Sequence, residues 1–262
     1  MNVPRIALRL AMAVVAAAGV ALLLWRSDDS RGNGPPADSI VVTGGDGASI
    51  PVSTPAEQGL DAASLESARA TADTLGARAL LIARRGHRVY EWRRDEGLVR
   101  SPLLSRLVVE AVGSSESPQI TELWSLLSAS DARVERAADG SLAFACCLWL
   151  QPRDALALAT ALLQGGTVGG TNVVPEERAR HALEQLEDGV APRGDEPFGA
   201  RPARLLRDAA GSRLYLFPAQ ALVILLVGAE ESRLADETAL AHQVLRAIVD
   251  VNSGPGVLVP GH

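Results

Sequence analysis

Two serines, Ser101 and Ser105, stand at the head of a stretch, Leu103 to Val112, that reads as a helix started by Pro102. An alcohol placed there becomes a nucleophile only if a base takes its proton. No lysine exists anywhere in the chain to supply that base; every basic side chain other than histidine is arginine. His87 is the nearest alternative in sequence, with Glu91 as a carboxylate to orient it. The plainer reading of His87 is a solvated histidine at a turn. No Gly-x-Ser-x-Gly elbow occurs, and Ser114, Ser115 and Ser117 fall in a turn.

Other chemistry-bearing groups are thinner still. Glu177 and His181 have the spacing of two metal ligands on one helix face, but no third ligand accompanies them, so a surface pair is expected. Arg84, Arg85, Arg88, Arg93 and Arg94 could meet phosphate or carboxylate groups. Asp95 and Glu96 lie alongside, which favours local ion pairs. Cys146 and Cys147 are adjacent in an apolar run. Sequence neighbours bridge only through a strained ring, so they read as two small core residues. A net charge of −6 offers no basic footprint for nucleic acid. No cofactor or metal is expected.

The elements that must position these groups follow from local pattern. Met1 to Trp25 opens with Arg5 and Arg9 and continues apolar to Trp25. Counted from Ile6 it reaches roughly 30 Å, about one bilayer core, and no small-residue cleavage site follows it. Residues 1–26 are therefore read as an uncleaved signal anchor. The N-terminus stays in the cytoplasm, and the remainder lies in the periplasm or other extracytoplasmic space. Residues 27–55, rich in Gly and Pro, are read as a flexible linker that includes the Gly44-Gly45-Asp46-Gly47 run. Residues 56–252 form the folded domain, and 253–262 a disordered tail.

Within the domain, Asp61 caps a first helix ending at Gly76. Ala79 to Ala83 and His87 to Trp92 form a hairpin about Arg85-Gly86. Ile120 to Leu127 reads as a short helix capped by Thr121, and Leu142 to Leu150 as a buried strand. Pro152 and Pro175 each start a helix. Asp188 to Pro202 is a polar loop. Arg204–Arg207, Arg213–Phe217 and Leu222–Val227 are strands, and Glu230 to Val251 is a last helix. The expected class is α+β: an antiparallel sheet of two early and three late strands, flanked by the first and last helices.

This layout resembles the serine β-lactamase and penicillin-binding-protein superfamily, especially its class C and esterase-like branch. The opening PAEQGLDAASLESARATADTLGARALLIARRGHRVYEW is similar to that branch's helix and first strand pair, and QITELWSLLSAS to its Ile-Thr-x-x-x-Leu-Leu-x-x-Ser segment. DGSLAFACCLWLQPRDALALATALLQGGTVGGTNVVPEE carries the branch's Asp-x-Gly, apolar strand, Arg-Asp helix, Gly-Gly turn and Val-Pro-Glu restart in order. AAGSRLYLFPAQALVILLV resembles its last strand pair.

The resemblance implies Ser-x-x-Lys at the start of the helix after the hairpin. Here Ser101 is followed three later by Leu104, and Ser105 by Val108. It implies Tyr-x-Asn or Ser-x-Asn on an inserted helical lobe. The tyrosines are Tyr90 and Tyr215, both in expected strands, and residues 130–139 are too few for a lobe. It implies Lys-Thr-Gly or His-x-Gly near Leu205 to Gly211, where LLRDAAG stands. The expectation is a membrane-anchored pseudoenzyme with a truncated lobe. It would bind or scaffold an envelope protein or a cell-wall fragment. The alternative is a divergent serine hydrolase using Ser101 or Ser105.

Overall fold

The structure, a computed structural model, describes residues 34–113, 117–188, 203–229 and 237–249. Its first element is β1 (Ile40–Val42). Asp61 then accepts the Ser64 backbone N–H at 2.8 Å and starts α1 (Ala62–Thr74), which turns Leu65, Ala68 and Ala72 inward. The expected hairpin follows as β2 (Ala79–Arg84) and β3 (His87–Arg93). Arg85 and Gly86 both take positive φ, 48° and 79°, the pairing that a tight hairpin turn requires. β4 (Val99–Arg100) leads into α2 (Pro102–Val112), which Gly113 ends in a left-handed conformation.

Next come α3 (Ser117–Leu126), β5 (Ala132–Val134), β6 (Leu148–Leu150) and α4 (Pro152–Leu163). The small hairpin of β7 (Thr167–Val168) and β8 (Thr171–Asn172) precedes α5 (Glu176–Glu184). The chain closes with β9 (Glu187–Asp188), β10 (Arg204–Arg207), β11 (Arg213–Phe217), β12 (Leu222–Val227) and α6 (Glu237–Arg246).

The main sheet has the order β3-β2-β12-β11-β10-β9, with every pairing antiparallel. The five expected strands are joined by β9 at one edge. β2 and β12 are buried along their whole length because helices cover both faces. Strand alternation sorts the side chains. Leu80, Ile82, Tyr215 and Ile224 pack with Leu65 of α1 and Leu240 and Val244 of α6. Leu81, Leu216, Val223 and Leu225 pack with Leu104 and Leu107 of α2 and Leu156 and Ala159 of α4. The first and last helices are also joined by backbone, with Asp61 N–H donating to Ala247 O at 2.7 Å.

Several expectations are corrected. Helix α3 begins by Ser117, so Thr121 lies inside it and caps nothing; Pro118 sits in its first turn, where a proline's missing N–H costs least. Of the expected strand 142–150 only the last three residues form a strand, with Leu142 in an isolated bridge to Arg136. Ahead of them, Cys146 and Cys147 N–H both turn back onto Ala143 O. A second sheet, β1-β5-β6-β4, was not foreseen.

Part of the expected linker is built into the domain. β1 pairs with β5, Ala48 exchanges backbone hydrogen bonds with Leu126 and Ser128, and Ser53 bonds Arg88 on the free edge of β3. Its glycines serve close approach. A Cβ on Gly44 would lie 2.0 Å from Ala129 O, one on Gly45 2.3 Å from Ser125 O, and one on Gly47 2.2 Å from Leu126 O. Among the described residues no helix is long and apolar enough to cross a membrane. The anchor expected over 1–26 and the tail expected over 253–262 lie outside them, as does the polar loop after residue 188 up to residue 202.

Asp154, 3% exposed in the first turn of α4, accepts the Ser130 N–H at 3.0 Å and holds the chain between α3 and β5. Burial pushes its carboxyl up to about 6, against the pull of that N–H and of the Arg153 and Arg93 guanidinium groups. A carboxyl raised by folding contributes stability that is complete below its ordinary value of 3.8 and is lost as pH rises through about 6. Asp154→Asn keeps an acceptor for Ser130. It is expected to stabilise the domain at neutral pH by about 1–3 kcal/mol and to have little effect near pH 4, read from urea unfolding at both pH values. Gly47→Ala is expected to lower stability by about 1–3 kcal/mol and to speed amide exchange at Ala48 and Ser128.

Candidate functional site

Ser101 is the N-cap of α2. Its extended backbone (φ −147°, ψ 119°) precedes Pro102, and its Oγ accepts the Leu104 N–H at 3.4 Å. The hydroxyl then donates to Asp208 Oδ2 at 2.5 Å, and the Leu103 N–H reaches the same oxygen at 3.2 Å. The other carboxylate oxygen, Oδ1, accepts the Ser212 N–H at 2.8 Å. One carboxylate at the end of β10 therefore joins the N-terminus of a helix on one face of the sheet to the turn before β11. That turn is closed by Gly211 (φ +80°), where a Cβ would lie 1.7 Å from Ala229 O. Arg213 fixes the Asp208 carbonyl with an Nη1 bond of 2.8 Å.

Ser105 lies one turn further along α2. Its Oγ donates to Ser101 O at 3.1 Å and accepts the Leu148 N–H at 3.1 Å. Both serines are 0% exposed. The structure thus brings the two candidate residues together, with each hydroxyl donating one hydrogen bond and accepting another. His87 and Glu91 do not join them. His87 Nδ1 lies 3.0 Å from Arg85 O in its own turn, and Glu91 is held by Arg88 and Arg93.

The remaining candidates also sit apart. Arg84 is buried on Gln58 O and Gly59 O, Arg93 pairs with Glu91 and Glu96, and Arg94 pairs with Asp73. Asp95, expected to serve this cluster, pairs instead with Arg78. Glu177 and His181 are exposed on α5, and no group of three metal-ligating side chains occurs among the described residues. Cys146 and Cys147 are joined in a disulfide across adjacent residues, which corrects the reading of two separate core thiols.

A cleft of about 420 Å³ opens at the far end of α2 from Ser101. Its lining includes Ala111, Val112, Leu123, Val173, Pro175 and Arg178, and neither serine reaches it.

Asp208 is the residue that sequence reasoning missed. The stretch LLRDAAG holds neither the lysine nor the histidine that the resemblance implies there. The available signal was a single acid placed where an apolar strand ends.

Comparison with solved structures decides the fold. A provisionally assigned 6-aminohexanoate-dimer hydrolase from Bacillus anthracis superposes with a TM-score of 0.56 at 10% identity, covering 79% of this chain and 90% of that one. The chain has the serine β-lactamase-like fold. A provisionally assigned β-lactamase from Bacteroides dorei also matches, with a TM-score of 0.47 and 8% identity over 73% of this chain and 100% of that one. No family model and no curated protein matches the sequence.

In this β-lactamase-like domain the chain between β5 and β6 closes through a tight turn, with Gly140 N–H on Ala137 O and Ala137 N–H on Ser141 O. Neither tyrosine lies among the contacts of Ser101. Tyr90 donates to Glu66 at 2.8 Å, and Tyr215 is buried on the α1–α6 side of the sheet.

Removing Asp208 leaves a buried hydroxyl and two N–H groups without their acceptor. Asp208→Ala is expected to cost about 2–4 kcal/mol in urea unfolding, and Ser101→Ala about 1–2. The double variant is expected to fall short of the sum by about 1–3 kcal/mol, the coupling of one shared bond network.

Proposed function

We propose that this chain is a membrane-anchored, extracytoplasmic β-lactamase-like domain that does not carry out acyl transfer and works by binding or scaffolding at the cell envelope. One observation carries the reading: the hydroxyl of Ser101 is buried and spent on the Asp208 carboxylate. A serine nucleophile needs a free lone pair aimed into a cavity and a base able to take its proton. Here the hydroxyl caps a helix, and the chain holds no lysine to act as base. The missing Tyr-x-Asn and the tight turn between β5 and β6 support the same reading.

The anchor reading rests on the apolar stretch ending at Trp25 and on Arg5 and Arg9 before it. It gives a single-pass protein of the inner membrane with its domain on the far side. An envelope protein or a cell-wall fragment is the partner class such a placement offers.

The test is covalent labelling. The folded protein is incubated with a fluorophosphonate and with a fluorescent penicillin, and its intact mass is read. No adduct is expected. A single adduct on Ser101 or Ser105 would overturn the reading in favour of a divergent serine hydrolase. The 2.5 Å contact between Ser101 and Asp208 is the one observation that favours this second reading, because it puts a carboxylate where a base would act. It requires that the adduct disappear in both Ser101→Ala and Asp208→Asn.

A further inference from the structure

Cys146 and Cys147 form a disulfide between neighbouring residues, with Cα atoms 3.7 Å apart. A disulfide stabilises chiefly by closing a loop in the unfolded chain, and the effect shrinks with loop length. This one has a sequence separation of 1 and closes no loop, so chain entropy gives no reason for it. Its surroundings suit a different use.

The pair sits in the turn that enters β6, with both N–H groups on Ala143 O. Cys146 is exposed, whereas Cys147 is 9% exposed. The Nη2 group of Arg100, from the neighbouring strand β4, donates to Cys147 Sγ at 3.3 Å. The two sulfurs are therefore unlike. One is open to an incoming thiolate, and the other is sheltered beside a cation that favours its departure as a thiolate. Glu135 tempers that cation. It pairs with Arg100 Nε at 2.8 Å and accepts the Trp149 Nε1–H at 2.7 Å.

We propose that Cys146–Cys147 is a thiol–disulfide exchange site for small thiols, with Cys146 the sulfur attacked and Cys147 the leaving group stabilised by Arg100. In the first step an incoming thiolate bonds to Cys146 Sγ, the Cys146–Cys147 bond breaks, and Cys147 leaves as a thiolate. In the second step another thiolate attacks the incoming sulfur of the mixed disulfide and releases Cys146 as a thiolate. Two small thiols are oxidised to one disulfide, two electrons pass to the cysteine pair, and solvent protons complete the thiols. The reverse sequence recloses the pair. This site is separate from the acyl-transfer question and stands whether or not Ser101 is reactive.

The test uses the full chain equilibrated in native glutathione buffers, quenched in acid, alkylated with a maleimide and read by intact mass. In reduced glutathione both cysteines are expected to open. In oxidised glutathione neither is expected to label. Opening rates distinguish the charge argument from simple loosening of the turn. Arg100→Gln is expected to slow opening about 3–10-fold, and Glu135→Gln, which frees Arg100 toward the sulfur, to speed it. Two free thiols persisting in oxidised glutathione would overturn the proposal. So would a disulfide that opens only after denaturation, or faster opening in both variants.

Discussion

The joint between Asp208 and the N-terminus of α2 is the contact on which the arrangement of this half of the domain depends. A helix start leaves backbone N–H groups without partners, and its partial positive charge favours an anion. Most helices answer with a residue from their own chain segment. Here Ser101 supplies that cap, and a carboxylate more than a hundred residues later reinforces it through Leu103 and Ser101 together. Because Asp208 also accepts from Ser212, the same group fixes how the end of β10 turns into β11. A hydrogen bond to a charged acceptor contributes more than a neutral one, and sheltering it from water raises the cost of losing it.

That use of the serine competes with catalysis for the same atom. A hydroxyl that donates to one group and accepts from another has one lone pair left. With 0% exposure, no substrate carbonyl can reach it without displacing the cap. A carboxylate is also a far weaker base than an alkoxide, so proton transfer from an alcohol to it is steeply uphill unless the transition state is stabilised elsewhere. The geometry that would be called preorganisation around a substrate is, for a hydroxyl with no exposed surface, a structural bond.

What could be read from the sequence was the part encoded locally. Asp61 before an amphipathic run, proline at the start of α2 and α4, and Gly86 between two strand-forming runs each act within a few residues. The main sheet was legible because β2 and β12 are unbroken apolar runs, and because alternation in β10 and β11 puts Leu205 and Leu206 on opposite faces. The second sheet was not legible. Its strands are two or three residues long, too short for a period to show, and β1 finds its partner β5 some ninety residues away. The Gly44–Gly47 run misled for a related reason. Glycine marks both flexible chain and close backbone approach, and only the carbonyls of Ser125, Leu126 and Ala129 tell which applies. Asp208 escaped because its partner is fixed by tertiary pairing rather than by spacing.

The two sulfurs and the two serines are linked through adjacent residues. Arg100, which faces Cys147, is the residue immediately before Ser101. Leu148, immediately after Cys147, donates its N–H to Ser105. Strands β4 and β6, paired antiparallel through Val99 with Leu150 and Arg100 with Trp149, therefore carry the helix cap and the disulfide at the same end of their short ladder. A fold shared at 10% identity preserves where strands and helices lie, and leaves the chemistry to the side chains placed on them. At Ser101 this sequence has put a buried joint. At the same end of that strand pair it has put a bond between two sulfurs that closes no loop. A joint gains from being dry and saturated, whereas an exchange site must meet solvent, and the burial of Ser101 and exposure of Cys146 divide along that line.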